Sequence, residues 1–157
     1  MSLEIVRQAT QRLSDDDLVG DTLTVVWHAG EPLAMPISFY EDAIPIIREV
    51  LGPTIQISHS IQTNATLIND AWCTFFKKHD IRVGVSVDGP AHLHDMHRHT
   101  RLGNPTHHLV VRGIELLKAH NLPFHAIAVV TASTLGEADA FFEFFLQHGI
   151  RDVGCNF

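Results

Sequence analysis

The sequence predicts an α/β fold built as part of a (β/α) barrel, with parallel strands and flanking helices. Three observations predict it. Short β-branched and apolar runs open near Thr22, Ile55, Arg82 and Phe124, spaced by about 30 residues, the size of a βαβ unit. Segments with apolar residues at helical spacing lie between those runs, and such alternation implies a parallel sheet. Polar residues stand at the carboxyl end of each run, the edge at which α/β sheets bind ligands.

The elements follow in order. Leu3, Ile5, Val6, Ala9 and Leu13 repeat at helical spacing until Ser14 and Asp15–Asp17 break the pattern. Thr22–His28 is a strand, rich in β-branched and aromatic residues. Phe39, Ala43, Ile46, Ile47 and Val50 mark a second helix, which Pro45 should bend or delay and Gly52-Pro53 should end. The alternating run Ile55–Ile61 is a second strand leading into Gln62-Thr63-Asn64. A helix over 67–79 follows, capped by Thr66 or Asn69, and then a third strand over Arg82–Val87. A polar loop carries His92, His94, Asp95, His97, Arg98, His99 and Arg101, before a helix from Pro105 to His120. Phe124–Val130 is the fourth strand, 137–148 a Phe-rich helix, and Val153–Phe157 opens a fifth strand. The order reads as the middle of a larger barrel in one domain over 1–157, with open sheet edges and an apolar helix face left for more chain or a partner to cover.

Composition narrows the function classes. The 157 residues are 45% hydrophobic and 18% charged, with a formal net charge of −7. That balance suits a globular protein and disfavours nucleic acid or an anionic membrane as partner. The apolar runs are strand-sized, so no membrane span is expected, and with no signal-peptide pattern the expected location is cytoplasmic. Cys73 and Cys155 lack a C-x-x-C spacing and are read as buried free thiols. The His-rich loop is read as solvated, since a zinc site demands firmer geometry.

The strand-end residues are Glu31, then Gln62 and Asn64, then Ser86 and Asp88, then Thr131 and Ser133. Singly, each reads as an ordinary capping group. Converging on one barrel mouth, they describe a polar pocket with one acid, Glu31, and one nearby base, Arg98. Such a pair suits a zwitterion, with Glu31 and exposed carbonyls for an ammonium, Ser86 and Arg98 for a carboxylate.

The succession His28-Ala29-Gly30-Glu31-Pro32-Leu33, Gln62-Thr63-Asn64-Ala65-Thr66-Leu67-Ile68 and Ser86-Val87-Asp88-Gly89-Pro90 with His94-Asp95 and Arg98 resembles the radical S-adenosylmethionine (SAM) superfamily. Within it the likeness is to the anaerobic sulfatase-maturating enzymes and related peptide maturases that carry a SPASM domain. The family shows GGEP, QTNGT, and S-x-DG followed by HD-x-x-R in this order. The resemblance spans roughly residues 22–150 and implies a barrel of radical SAM type. It implies that Ala29, Gly30 and Glu31 hold the SAM ammonium and that Ser86 and Arg98 take its carboxylate. It also implies that Gln62 faces the substrate side and that Asn64 shapes the turn beside the nucleoside. Asp88 is expected to cap the Gly89-Pro90 turn. Ala29 and Ala65 stand where the family has glycine. At Ala29 this matters little if φ is negative, whereas Ala65 points to an altered turn.

The family anchors a four-iron–four-sulfur (4Fe-4S) cluster on a C-x-x-x-C-x-x-C loop, and this sequence contains no such loop. The resemblance therefore implies a fragment or truncated homologue of a radical SAM oxidoreductase. The parent reaction would be hydrogen abstraction from a peptidyl Cys or Ser by a 5′-deoxyadenosyl radical, with a peptide or a sulfatase as substrate, and the chain alone is expected to be inactive. Two other readings stay open: a non-catalytic SAM- or peptide-binding module, and a homodimer of half-barrels. Anaerobic reconstitution of the chain with iron and sulfide is expected to leave about zero cluster per chain, because two separated cysteines cannot replace three ligands on one loop. Stoichiometric iron and labile sulfide by chemical analysis would sink that expectation.

Overall fold

The structure, a computed structural model, describes residues 1–157. Its elements run α1 (Leu3–Asp15), β1 (Thr22–Trp27), α2 (Ile37–Leu51), β2 (Gln56–Thr63), α3 (Asp70–Lys78), β3 (Arg82–Ser86), α4 (Ala91–His94), α5 (His107–Ala119), β4 (Phe124–Val129), α6 (Ala132–Leu135), α7 (Ala138–Gln147) and β5 (Val153–Asn156). A single 3-10 turn, Pro32–Ala34, follows β1. The five strands form one sheet in sequence order, and every neighbouring pair is parallel. The sheet is a half-barrel with helices on its convex side.

Side-chain alternation along the strands sets the two faces. Leu23, Val25 and Trp27 of β1, His59 and Ile61 of β2, Val83 and Val85 of β3, and Ala126 and Ala128 of β4 belong to the helix-side core or pack against it, apart from the partnerless polar imidazole of His59. The register pairs Thr24 with Ser58, Val26 with Ser60, Gln62 with Gly84, and Ser86 with Ile127. These residues line the concave face, where the Thr24 and Ser58 hydroxyls lie 3.0 Å apart.

An aromatic chain joins sheet to helices. Trp27 meets Tyr40 of α2 edge-on at 5.2 Å between ring centroids. Tyr40 meets Trp72 of α3 at 5.7 Å, and Trp72 stacks on Phe76 at 5.7 Å. Such pairs add about 0.5–1.5 kcal/mol each beyond the area they bury. Asn69 caps α3, its side chain accepting from the Trp72 amide, so of the two expected caps Asn69 is the one used.

Three expectations need correction. Pro45 does not delay α2, which starts at Ile37 and runs through it. Pro45 is exposed, so the carbonyl freed by its missing N–H can turn to water. Cys155 is exposed, because β5 is the edge strand and nothing covers that position, whereas Cys73 is on the buried face of α3. The loop after β3 is only partly solvated: it contains α4, and His94 is fully buried. The turn after β4 also contains a short helix, α6, closed by a reciprocal capping box between Thr131 and Thr134.

No helix is long and apolar enough to cross a membrane. Burial lowers the pKa of both His59 and His94 to about 4. Unfolded imidazoles take up protons near pH 6.5, whereas these two stay neutral in the fold until about pH 4. The unfolded chain thus binds more protons in that window, and stability falls as pH drops through it, by about 1.4 kcal/mol per pH unit for each proton. Urea unfolding between pH 7 and 5 is expected to show this loss. His59→Phe should reduce the slope by about one proton, since the His59 Nδ1 has no partner to lose. An unchanged slope in that variant would contradict the assignment.

Candidate functional site

The carboxyl ends of the strands are stitched to one another by side chains. At the end of β1, Ala29 and Gly30 both take left-handed conformations, with φ of 74° and 61°. Two such residues in succession reverse the chain and leave its peptide groups exposed at the mouth. Glu31 then turns back. Its Oε1 accepts from the Leu33 amide at 2.9 Å and the Thr63 hydroxyl at 2.6 Å, and its Oε2 accepts from the Asn64 amide at 2.8 Å. One carboxylate therefore closes the turn and ties the end of β1 to the end of β2. Beneath it, Tyr40 donates to the Pro32 carbonyl at 2.8 Å. Burial, reinforced by the Glu31 carboxylate, pushes the Tyr40 phenol up to about 12, so it keeps the proton it donates.

Asn64 folds the next turn. Its Oδ1 accepts from the Thr66 amide at 3.0 Å and the Thr66 hydroxyl at 2.8 Å. Ala65 follows, fully buried and left-handed at φ 60°. Gly113 of α5 lies against it: a Cβ at 113 would stand 2.4 Å from the Ala65 carbonyl oxygen, so only glycine lets this helix approach. The condition placed on Ala29 fails, since its φ is positive. Both alanines hold the backbone that glycine holds without strain, and neither abolishes its turn.

Gln62 and Ser86 meet on the concave face, the Gln62 Nε2 donating to the Ser86 hydroxyl at 2.9 Å. Gly84 lies between Gln62 and His125; a Cβ there would stand 2.0 Å from Gln62 Oε1 and 2.7 Å from His125 Nε2. Gln62, His125, His28 and Ser60 are among the residues lining a 320 Å³ cavity on this face. His28 and His125 were not singled out in the sequence; the strand register, which places Gly84 opposite both Gln62 and His125, is the signal that could have found His125.

Asp88 does not cap the Gly89-Pro90 turn. Its Oδ1 accepts from the Val129 amide at 2.8 Å, tying the end of β3 to the end of β4. Both its oxygens also take the Arg98 guanidinium, through Nε and through Nη2 at 2.9 Å. Two of the five guanidinium N–H donors are thus spent and three remain. Thr131 and Ser133 serve α6 and its entry, so neither joins the cluster.

The donor set fits a zwitterion bearing an ammonium and a carboxylate. Exposed peptide groups at 29–30 stand beside an acid whose own partners are neutral, and Arg98 keeps free donors near the Ser86 end. It does not fit an iron–sulfur cluster. Cys73 is buried within α3, where burial and then Asp70 raise its thiol pKa, and Cys155 is on the edge strand. No three His, Cys, Asp or Glu side chains gather to hold a metal ion.

Known proteins resemble this chain in sequence and fold. Residues 4–145 match the model of the radical SAM superfamily. The chain is 39% identical over 132 residues to a serine-type anaerobic sulfatase-maturating enzyme of Bacteroides thetaiotaomicron, covering 83% of this chain and 30% of that one. It is 31% identical over 125 residues to a cysteine-type anaerobic sulfatase-maturating enzyme of Clostridium perfringens, covering 80% and 34%. An uncharacterized protein of Synechocystis is 39% identical over 161 residues, 99% of this chain and 40% of that one. Among solved structures, anSMEcpe with bound AdoMet superposes with a TM-score of 0.89 at 26% identity, covering 97% of this chain and 41% of that one. The chain thus spans about a third of the length of the sulfatase-maturating enzymes it matches.

The left-handed alanine at 29 gives the turn a direct check. Ala29→Gly removes a conformational penalty of about 1–2 kcal/mol and adds about 0.4–1 kcal/mol of unfolded-chain entropy. A net gain of about 0.5–1 kcal/mol in chemical denaturation is expected. A loss of stability would show that the turn is not held as described.

Proposed function

Because this chain belongs to the radical SAM superfamily, we propose that it is the SAM-holding section of a peptide-maturating enzyme of the sulfatase-maturase kind. The observation that carries the reading is the Ala29-Gly30-Glu31 turn, whose exposed peptide groups stand beside a carboxylate already fixed by three neutral donors. A fixed acid costs little further ordering when a cation arrives, and the left-handed turn offers carbonyl oxygens that a regular strand end would spend on its ladder.

In this reading each residue keeps one task. The carbonyls of Ala29 and Gly30, with Glu31, receive the SAM ammonium. Arg98 offers its remaining N–H donors to the SAM carboxylate, and the Ser86 hydroxyl supports it. Asn64 keeps the second turn closed beside the nucleoside, and Gln62 looks toward the substrate across the concave face. When bound beside a reduced iron–sulfur cluster, SAM supplies the means of abstracting a hydrogen atom from a peptidyl cysteine or serine. The cluster ligands are not among these residues, so the section holds SAM but does not by itself cleave it. The substrate class follows the relatives: anSMEcpe is solved with AdoMet and the Kp18Cys peptide, at a TM-score of 0.88.

Isothermal titration calorimetry with SAM is the test. One SAM per chain is expected, weakened about tenfold or more by Arg98→Ala and likewise by Glu31→Gln, the range of a lost charge-assisted contact. Unchanged affinity in both variants would overturn the assignment of these residues.

A further inference from the structure

His94 is a buried imidazole bonded to the main chain of both partners in the Asp88–Arg98 pair, directly at Asp88 and through the Thr106 hydroxyl at Arg98. It is fully buried on α4. Its Nδ1 accepts from the Asp88 amide at 3.2 Å, and its Nε2 lies 3.2 Å from the Thr106 hydroxyl. That hydroxyl donates its single proton to the Arg98 carbonyl at 2.9 Å. It can therefore only accept from His94, which places the imidazole proton on Nε2 and leaves Nδ1 bare for Asp88. One neutral tautomer satisfies both contacts. The Arg98 amide closes the ring by donating to the His94 carbonyl at 3.0 Å. Outside the ring, Asp95 Oδ1 accepts from the Thr106 and His107 amides, both at 2.9 Å, and so fixes Thr106 to the start of α5.

We propose that His94 is a positioning residue for ligand recognition: through Asp88 on one side and Thr106 on the other, it fixes the main chain at both ends of the Asp88–Arg98 pair and thereby sets where the guanidinium points. The inference rests on the reading that Arg98 receives the carboxylate of SAM. A histidine that only filled the core would have no need of both contacts. The neutral form matches its surroundings: burial and then Arg98 lower its pKa, to about 4, and Asp88, His107 and Asp95 are the other titratable groups that face it. A protonated Nδ1 would confront the Asp88 N–H donor-to-donor.

The experiment compares SAM with decarboxylated SAM, which keeps the sulfonium and the ammonium but lacks the group that Arg98 would hold. Both are titrated calorimetrically into the wild-type chain and into the Arg98→Ala, His94→Phe, His94→Asn and Thr106→Val variants. The wild type is expected to prefer SAM by about tenfold or more, and Arg98→Ala to abolish that preference. His94→Phe and Thr106→Val should cut the preference about fivefold while leaving affinity for decarboxylated SAM unchanged. His94→Asn, which keeps an acceptor near the Nδ1 position, should recover part of it. Equal weakening of both ligands, or of neither, in the His94 and Thr106 variants would overturn the positioning role. A preference that survives Arg98→Ala would instead overturn the carboxylate assignment. The Arg98 Nε–H resonance gives a readout that needs no ligand. It should be sharp and slowly exchanging in the wild type and lost in His94→Phe and Thr106→Val, and its persistence there would refute the proposal whether or not SAM binds.

Discussion

Parallel strands run out of ladder partners at their carboxyl ends, and here two carboxylates take over the joining. Glu31 ties β1 to β2 through Thr63 and Asn64, and Asp88 ties β3 to β4 through Val129. Between them the neutral Gln62–Ser86 contact spans β2 and β3. Each acid accepts backbone or hydroxyl donors at the strand ends, and such a donor left unpaired where it is buried costs about 1–3 kcal/mol. The same groups therefore close the fold and shape the site. A ligand at this mouth meets side chains already committed to their positions.

The two acids are compensated differently. Asp88 is one-tenth exposed and carries a full guanidinium partner, so the pair contributes little net field beyond its own contact. Glu31 is half-buried and answered only by neutral donors. The mouth is therefore negative beside the 29–30 turn and retains hydrogen-bond donors, not net charge, on the Arg98 side. A zwitterion laid across it finds its cation attracted at long range and its anion received by geometry, which gives the site a direction.

Architecture was legible because it is written in periodicity. Strand starts, helix spans and the parallel sheet follow from where Val25, Ile57, Val83 and Ala126 repeat against their polar neighbours, and the strand-end residues follow from the same count. Legibility failed where a single long-range contact decides. Nothing local distinguishes His94 from His92, yet one is buried against Asp88 and Thr106 and the other pairs with Glu137 at the surface. Asp88 looks like a turn cap beside Gly89-Pro90 until β4 delivers the Val129 amide. The conformation of Ala29 was unreadable for a different reason. Alanine prefers negative φ, so its left-handed state is imposed by Glu31 and its partners and is not encoded at position 29.

The bare Cα of Gly84 leaves room that two polar side chains share. Gln62 Oε1 and His125 Nε2 occupy the space a side chain would fill, and both are the ends of movable side chains. The glycine therefore sets where the amide and the imidazole of this floor can stand, and a side chain at 84 would turn both polar tips aside.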